Sequence, residues 1–262
     1  MSFILSDILK SIYDFQRKYE VVWFRGHSKS EYKLNSGLYR ISTSVEDINL
    51  FENNIYNSFI NYGYQYCNDF YDNKEWNIVF LMQHYGMYTR LLDWTDSFIT
   101  ALYFALKDVK ENENACVWML APIEMNKRCS AIYELGIDKG YDDIRLITID
   151  TLPSRINNYK NFFEKKINIG SFAIVPRRSN ERLKLQNGFF TIQGTKGVPL
   201  EEEYKAYMDD ILIKIEIPYD IVEECRNFLS INGINSYYLY GGIEELCNYI
   251  KNDLLQIKLN NM

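Results

Sequence analysis

The sequence predicts an α+β fold with a helix-rich part over about 1–110 and a strand-rich part over about 111–262. Apolar residues recur at helical spacing in the first part, while β-rich runs dominate the second. Two of those runs flank Asn187-Gly188, the strongest short hairpin signal. No Pro/Gly/Ser-rich linker marks a boundary, so we expect residues 1–262 to form one domain.

The helix-rich part opens with a helix that Ser6 can cap, in which the apolar residues Ile8, Leu9, Ile12 and Phe15 recur at helical spacing. A strand follows at 21–26, and then a polar loop at 27–43. Ser44 and Asp47 have capping-box spacing and predict the start of the next helix. Two further helices are predicted, one over 74–85 that ends at Gly86 and one over 96–108.

The strand-rich part contains five predicted strands. They cover residues 115–121, 171–175, 182–186, 189–193 and 211–217. Helices are predicted after Pro218 and near 243–257.

The composition predicts a soluble cytoplasmic protein. The first residues have no basic region or cleavage signal, and no apolar run approaches the ~18 residues needed to span a bilayer, so no membrane partner is expected. Five cysteines without CxxC spacing are expected to be reduced thiols. A net charge of −6 argues against tight non-specific binding to nucleic acid, although a local basic groove remains compatible with it.

Arg25 is the first candidate site residue. It ends an otherwise apolar strand, V-V-W-F-R-G, and a guanidinium is costly to bury without a partner. One interpretation is a fork-shaped cation for a phosphate or carboxylate, with Gly26 allowing close approach. The other is a structural arginine bonded to loop carbonyls. His27, two residues after Arg25, is interpreted as a surface loop residue, and the alternative is that it completes an anion site with Ser28.

The densest polar cluster is QHYGMYTRLLDWTDS, residues 83–97, between two predicted helices. His84 is either a ligand contact or the cap of a helix C-terminus. Arg90 and Asp93 could simply pair with each other across one turn. Trp94, with polar neighbours such as Thr95, is more typical of a ligand site than of a fold constraint. The two histidines lack metal-ligand spacing, so no metal site is expected.

Several motifs resemble the FRG-domain family of bacteria and phages. VVWFRGHS carries the tripeptide that names the family, and FLMQHYGMYTRLLDWTDSFITALYFA is similar to its longest motif. AIVPRRSNERLKLQNGFFTIQG and LSINGINSYYLYGGIEELCNYI are similar to two later blocks, although Tyr-Gly-Gly replaces the common Phe-Pro-Asp in the second.

The order of these motifs also resembles that of ADP-ribosyltransferases of the Arg–Ser–Glu type. This weaker resemblance implies a split β-sheet core with an N-terminal helical portion, and NAD as substrate. It implies catalytic roles for Arg25, Asp93, Glu181 and Gln186. The implied cofactor-binding residues are Arg25, Gly26, His84, Tyr85, Thr89, Arg90, Trp94 and Thr95.

The two resemblances together imply an enzyme that transfers ADP-ribose to a macromolecule such as RNA, DNA or protein. A toxin or phage-defence effector is implied, with an antitoxin or other regulatory partner. Two alternatives stay open at this point. One is a plain NAD glycohydrolase, and the other is a non-catalytic module that binds a nucleotide or nucleic acid.

Overall fold

The computed structural model describes residues 5–41, 44–67, 74–129, 146–154, 156–164, 167–176 and 188–251. These residues form a seven-stranded mixed sheet in the order β4-β5-β6-β2-β1-β3-β7. The strands are β1 Trp23–His27, β2 Leu91–Thr95, β3 Ala115–Leu120, β4 Ile147–Thr148, β5 Phe172–Val175, β6 Gly188–Ile192 and β7 Leu212–Ile217. Neighbouring strands are antiparallel except β4 and β5, which are parallel.

The helices that accompany this sheet are α1 Leu5–Lys18, α2 Val45–Tyr62, α3 Tyr64–Cys67, α4 Lys74–His84, α5 Phe98–Lys107, α6 Pro122–Arg128, α7 Leu200–Glu203, α8 Val222–Ile231, α9 Ser236–Tyr240 and α10 Gly242–Tyr249. A short 3₁₀ helix, Leu38–Arg40, lies in the loop before α2. This mixture of helices and a mainly antiparallel sheet confirms the predicted α+β class. Within the described ranges, no helix combines the length and apolar character that a membrane span requires.

Local sequence signals place the ends of several helices correctly. The Ser44 side chain accepts a hydrogen bond from the backbone N–H of Asp47 at 3.4 Å, as the capping-box spacing predicts. Helix α4 ends next to Gly86, whose φ of +78° is favourable for glycine. The backbone N–H of Gly86 donates to Gln83 and that of Met87 donates to Met82, which is the Schellman pattern.

Strand β2 corrects the interpretation of residues 83–97 as a polar connection between helices. Five of those residues form a central strand, and it pairs with β6 from Leu91↔Ile192 to Thr95↔Gly188. The pattern of exposure explains why this strand was not predicted. Only Asp93 is exposed, and the strand residues on either side of it are buried. The predicted strand at 182–186 and its turn residue Asn187 lie outside the described residues.

The sheet divides between β1 and β2. These two strands share one register pair, Phe24↔Thr95, whereas β1 shares five with β3 and β2 shares five with β6. Two hydrophobic clusters cover the sheet, and the first includes residues of both halves, such as Trp23 of β1 and Phe189 of β6. Helices α1, α5 and α8 pack with β1, β3 and β7 in one hydrophobic cluster, while α4 packs with β5 and β6 in a second one. Strands from both predicted parts of the chain therefore share one sheet, with a gap at its middle.

Candidate functional site

A pocket of about 710 Å³ opens where β1 and β2 diverge. That volume lies in the range of small-molecule sites in proteins. Its walls come from the two strands, the start of β6, the C-terminal end of α4, helix α5 and the loop before α2. The residues that line it include Phe24, Arg25, Gly26, His27, Tyr32, Lys33, Arg40, Gln83, His84, Asp93, Trp94, Thr95, Ala101, Phe104, Gly188 and Phe190.

Arg25 joins the two strands at the point where their ladder ends. Its Nη1 donates to the Asp93 carbonyl oxygen at 2.6 Å and lies 3.8 Å from Asp93 Oδ2. The guanidinium thus donates to the strand carbonyl and offsets part of the charge of the Asp93 carboxylate. Its Nη2 makes no hydrogen bond to a described residue, and the side chain keeps 16% exposure at the pocket wall. Arg25 therefore bonds to a backbone carbonyl of the neighbouring strand and also lines the pocket.

His27 holds the other edge of the Arg25 guanidinium. Its Nε2 accepts from Arg25 Nε at 3.0 Å, and its Nδ1 lies 3.2 Å from the Tyr32 carbonyl oxygen. An acceptor at Nε2 and a donor at Nδ1 define one neutral tautomer of the ring. Burial, and then the charge of Arg25, lower the pKa of His27 to about 3. The interpretation of His27 as a surface loop residue is therefore wrong: it is a buried strand residue that orients Arg25.

Asp93 is held in the pocket by a chain of hydrogen bonds that runs back to the start of β2. Gln83 Nε2 donates to Asp93 Oδ2 at 2.8 Å, and Thr89 Oγ1 donates to Gln83 Oε1 at 2.5 Å. Thr89 Oγ1 in turn accepts from the backbone N–H of Leu91 at 3.1 Å. Thr89 lies outside the pocket wall and supports Asp93 through Gln83. Gln83 is a site residue absent from the predicted set.

Aromatic rings form the apolar part of the pocket wall. Trp94 is buried, and its indole N–H donates to Thr191 Oγ1 at 2.9 Å, which fixes the plane of the ring. Phe104 and Phe190 line the pocket from α5 and β6, and the exposed Tyr32 stands at its rim. Flat rings of this kind are suited to contacts with other planar groups.

Gly26 serves close packing of a helix against the strand. A Cβ at this position would lie 2.0 Å from the carbonyl oxygen of Ala101 and 2.5 Å from the backbone nitrogen of Ala105. The close approach predicted at this glycine is thus made by the backbone of α5. Gly26 still lines the pocket, and its lack of a side chain sets the position of α5 as the facing wall.

Arg90 is a buried structural residue. Its side chain has 0% exposure and pairs with Glu52, with Nη2 to Oε2 at 2.6 Å. It also donates to Asn49 Oδ1 and to the hydroxyl of Tyr39. The alternative of a local pair between Arg90 and Asp93 is wrong, because the partner comes from α2 instead.

The remaining residues of the predicted site differ in their positions. His84 and Thr95 line the pocket. Tyr85 is 72% exposed on the surface, where its ring packs edge-on against that of His84. Neither Tyr85 nor Arg90 is among the residues that line the pocket. Glu181 and Gln186 lie outside the described residues, although the chain that follows them enters the pocket at Gly188.

Arg40 is a pocket residue that the sequence reasoning missed. It lies in a stretch interpreted only as a polar loop, where no periodicity distinguishes it. With it, the charged lining residues are three cations, Arg25, Lys33 and Arg40, against the one carboxylate of Asp93. Counted with neutral histidines, the balance is +2 among the described lining residues. The pocket is therefore locally basic in a chain whose net charge is −6.

The chemistry of the described residues favours an anionic ligand with aromatic groups. Nowhere in the described part of the chain do three or more His, Cys, Asp or Glu side chains gather closely enough to hold a metal ion. Guanidinium groups and ring faces are instead suited to phosphates and heterocycles.

Comparison with known proteins bears on the N-terminal part of the chain. No curated protein and no solved structure matches this chain significantly. A family model, that of the FRG domain, matches residues 20–114, which include β1, β2 and the Arg25, Gln83 and Asp93 side chains described above. The predicted resemblance to the FRG-domain family is therefore confirmed over residues 20–114 of this chain.

Proposed function

We propose that this protein is an ADP-ribosyltransferase-like enzyme that binds NAD in the pocket between β1 and β2. The observation that carries the proposal is that three segments of the chain converge on one pocket. Arg25-Gly26 in the middle of β1, the Asp93–Thr95 segment and the start of β6 come from distant parts of the sequence and line one locally basic, aromatic cavity. A dinucleotide needs this combination of cations for phosphates and flat faces for its rings.

In the proposed binding mode, Arg25 contacts the phosphates of NAD with Nη2, which makes no hydrogen bond to a described residue. Trp94 and the neighbouring rings contact a heterocycle. His27 and the Asp93 carbonyl keep the guanidinium oriented before the ligand arrives, so less conformational entropy is lost on binding.

The proposed reaction breaks the bond between the ribose anomeric carbon and the nicotinamide nitrogen. The bonding electron pair leaves with nicotinamide, and an oxocarbenium-like cation develops on the ribose. A nucleophile of a macromolecular acceptor then bonds to the anomeric carbon and gives up its proton. A carboxylate stabilises the cation and takes that proton, the demand that glycosidases meet in the same way. Asp93 and Glu181 are the proposed carboxylates.

The test measures nicotinamide release from NAD together with transfer of labelled ADP-ribose to RNA, DNA and protein. Arg25→Lys keeps the charge and loses the fork, so we expect a weaker affinity for NAD. Asp93→Asn and Glu181→Gln are expected to lower turnover with little change in binding. Asp220→Asn, an exposed carboxylate outside the pocket, is the matched control and should behave as wild type.

The outcome of the same assay separates the alternatives. Label on a macromolecule supports the transferase, and free ADP-ribose alone indicates a glycohydrolase. One observation favours a non-catalytic binding module: Asp93, the carboxylate that lines the described part of the pocket, already accepts from Gln83 and lies beside Arg25. Tight NAD binding without nicotinamide release, with any acceptor, would establish that module and exclude the enzyme.

A further inference from the structure

We propose that Arg40 is a second phosphate-binding residue, and that Arg25 and Arg40 together select a ligand with two linked phosphates. The inference rests on the proposed function in taking this pocket as the dinucleotide site. It adds a residue and a specificity: a diphosphate rather than a single phosphate or a neutral nucleoside.

The first argument is that no carboxylate among the described residues compensates the charge of Arg40. Its side chain is exposed, lines the pocket, and has no hydrogen-bond or salt-bridge partner among the described residues. The other two cations of the pocket differ in this respect. Lys33 Nζ pairs with Glu202 Oε1 at 2.5 Å, and Arg25 Nη1 lies 3.8 Å from Asp93 Oδ2. Arg40 is thus the strongest unmatched cation in the described lining.

The second argument is that Arg40 and Arg25 act on each other. Burial is the main cause that lowers the pKa of Arg25 to about 10; the Asp93 carboxylate opposes this shift, and the charge of Arg40 adds to it. Two guanidinium groups that line one pocket and repel each other are relieved by an anion bound to both. A diphosphate carries charge on both of its phosphates and can meet both groups at once, each with a forked pair of N–H donors.

The third argument is that the backbone of Arg40 is held firmly in place. Its two neighbours in the 3₁₀ helix, Leu38 and Tyr39, are buried. The backbone N–H of Leu38 donates to the Thr89 carbonyl oxygen at 3.1 Å. The Tyr39 hydroxyl donates to the Gly194 carbonyl oxygen at 2.7 Å and accepts from Arg90. The buried network around Arg90 therefore fixes the segment that brings Arg40 to the pocket, and only its guanidinium must be ordered by the ligand.

The test compares the binding of ADP-ribose, AMP and adenosine to the full chain by calorimetry. Arg40→Gln is expected to weaken ADP-ribose binding at least about tenfold, because one charged hydrogen-bonding group is lost. The effect should be smaller for AMP and absent for adenosine. Since Arg40 is exposed, the difference between wild type and variant should shrink as salt is raised. Arg226→Gln removes an exposed arginine outside the pocket and should leave all three affinities unchanged.

The possible results separate the role of Arg40 from the proposed transferase activity. The role of Arg40 would be overturned if wild type and Arg40→Gln bound ADP-ribose equally well. It would also be overturned if Arg40→Gln lost as much affinity for adenosine as for ADP-ribose. A wild-type protein that binds adenosine as tightly as ADP-ribose would do the same. If ADP-ribose binding depends on Arg40 but NAD releases no nicotinamide, the diphosphate site stands and the transferase proposal fails. A matching thermal melt of Arg40→Gln and wild type shows that the variant is folded.

Discussion

The buried pair of Arg90 and Glu52 leads to the sharpest prediction about stability. The two side chains have exposed fractions of 0% and 3%, and Arg90 Nε donates to both carboxylate oxygens at 2.8 Å. In Arg90→Met a side chain of similar length fills the space, but the charge is lost. The carboxylate of Glu52 then stays in the core with the Tyr159 hydroxyl as a remaining donor. Breaking a buried pair in this way costs about 3–5 kcal/mol.

The buried charge is one part of this cost, and lost hydrogen bonds are the other. The guanidinium also donates hydrogen bonds to Asn49 and Tyr39, and a methionine cannot replace them, which adds to the cost.

The assay is urea denaturation of wild type, of Arg90→Met and of the double variant with Glu52→Gln. The single variant should lose about 3–5 kcal/mol in its free energy of unfolding. The double variant should recover much of that loss, because no charge remains buried.

The surface pair of Lys127 and Glu124 supplies a matched control, because its side chains are 33% and 25% exposed. Lys127→Met should cost less than about 1 kcal/mol. A loss of under about 1 kcal/mol in Arg90→Met, or a double variant no more stable than the single one, would refute the reasoning.

Three further predictions concern the pocket. His27 has a pKa of about 3 in the folded protein against 6.5 in the unfolded chain, so the unfolded state binds more protons between those values. Stability is present above pH 6.5 and falls on acidification, by about 2 kcal/mol between pH 6.5 and pH 5, and His27→Gln should remove this loss in pH-dependent urea denaturation. Gly26→Ala should destabilise the fold by about 1–3 kcal/mol or more in thermal melts, because the new Cβ meets the backbone of α5. Gln83→Leu should lower NAD turnover roughly tenfold with the fold retained, because Asp93 loses the amide that orients it.

Each of these predictions has its own control or contrary result. An acid-dependent loss that is the same in wild type and His27→Gln would assign that loss to other groups. Gly37→Ala is the control for Gly26, since its new Cβ meets neighbours no closer than 3.5 Å and the variant should melt as wild type does. Unchanged turnover in Gln83→Leu would mean that Asp93 needs no support from α4, or that it takes no part in the reaction.

Local signals in the sequence are sufficient to predict much of the secondary structure. The periodicity of α1, the Ser44 cap and the Gly86 terminus each act over one or two helical turns, so neighbouring residues determine them. The motifs around Arg25 and Asp93 also identify the segments that meet at the pocket. Strand β2 was not predictable in this way, because a central strand has no alternating pattern when both of its faces are covered.

The sequence by itself determined the α+β class, the approximate positions of the longer helices and the two segments that carry the candidate site. Tertiary structure alone decided which of three arginines line the pocket. Arg90 is neutralised by Glu52, 38 residues away. Arg25 donates to a strand carbonyl and also lines the pocket. Arg40 lines the pocket without a carboxylate partner among the described residues. The physical reason is that the role of a charge depends on its partners and its access to water, and both are set by contacts between residues far apart in the chain.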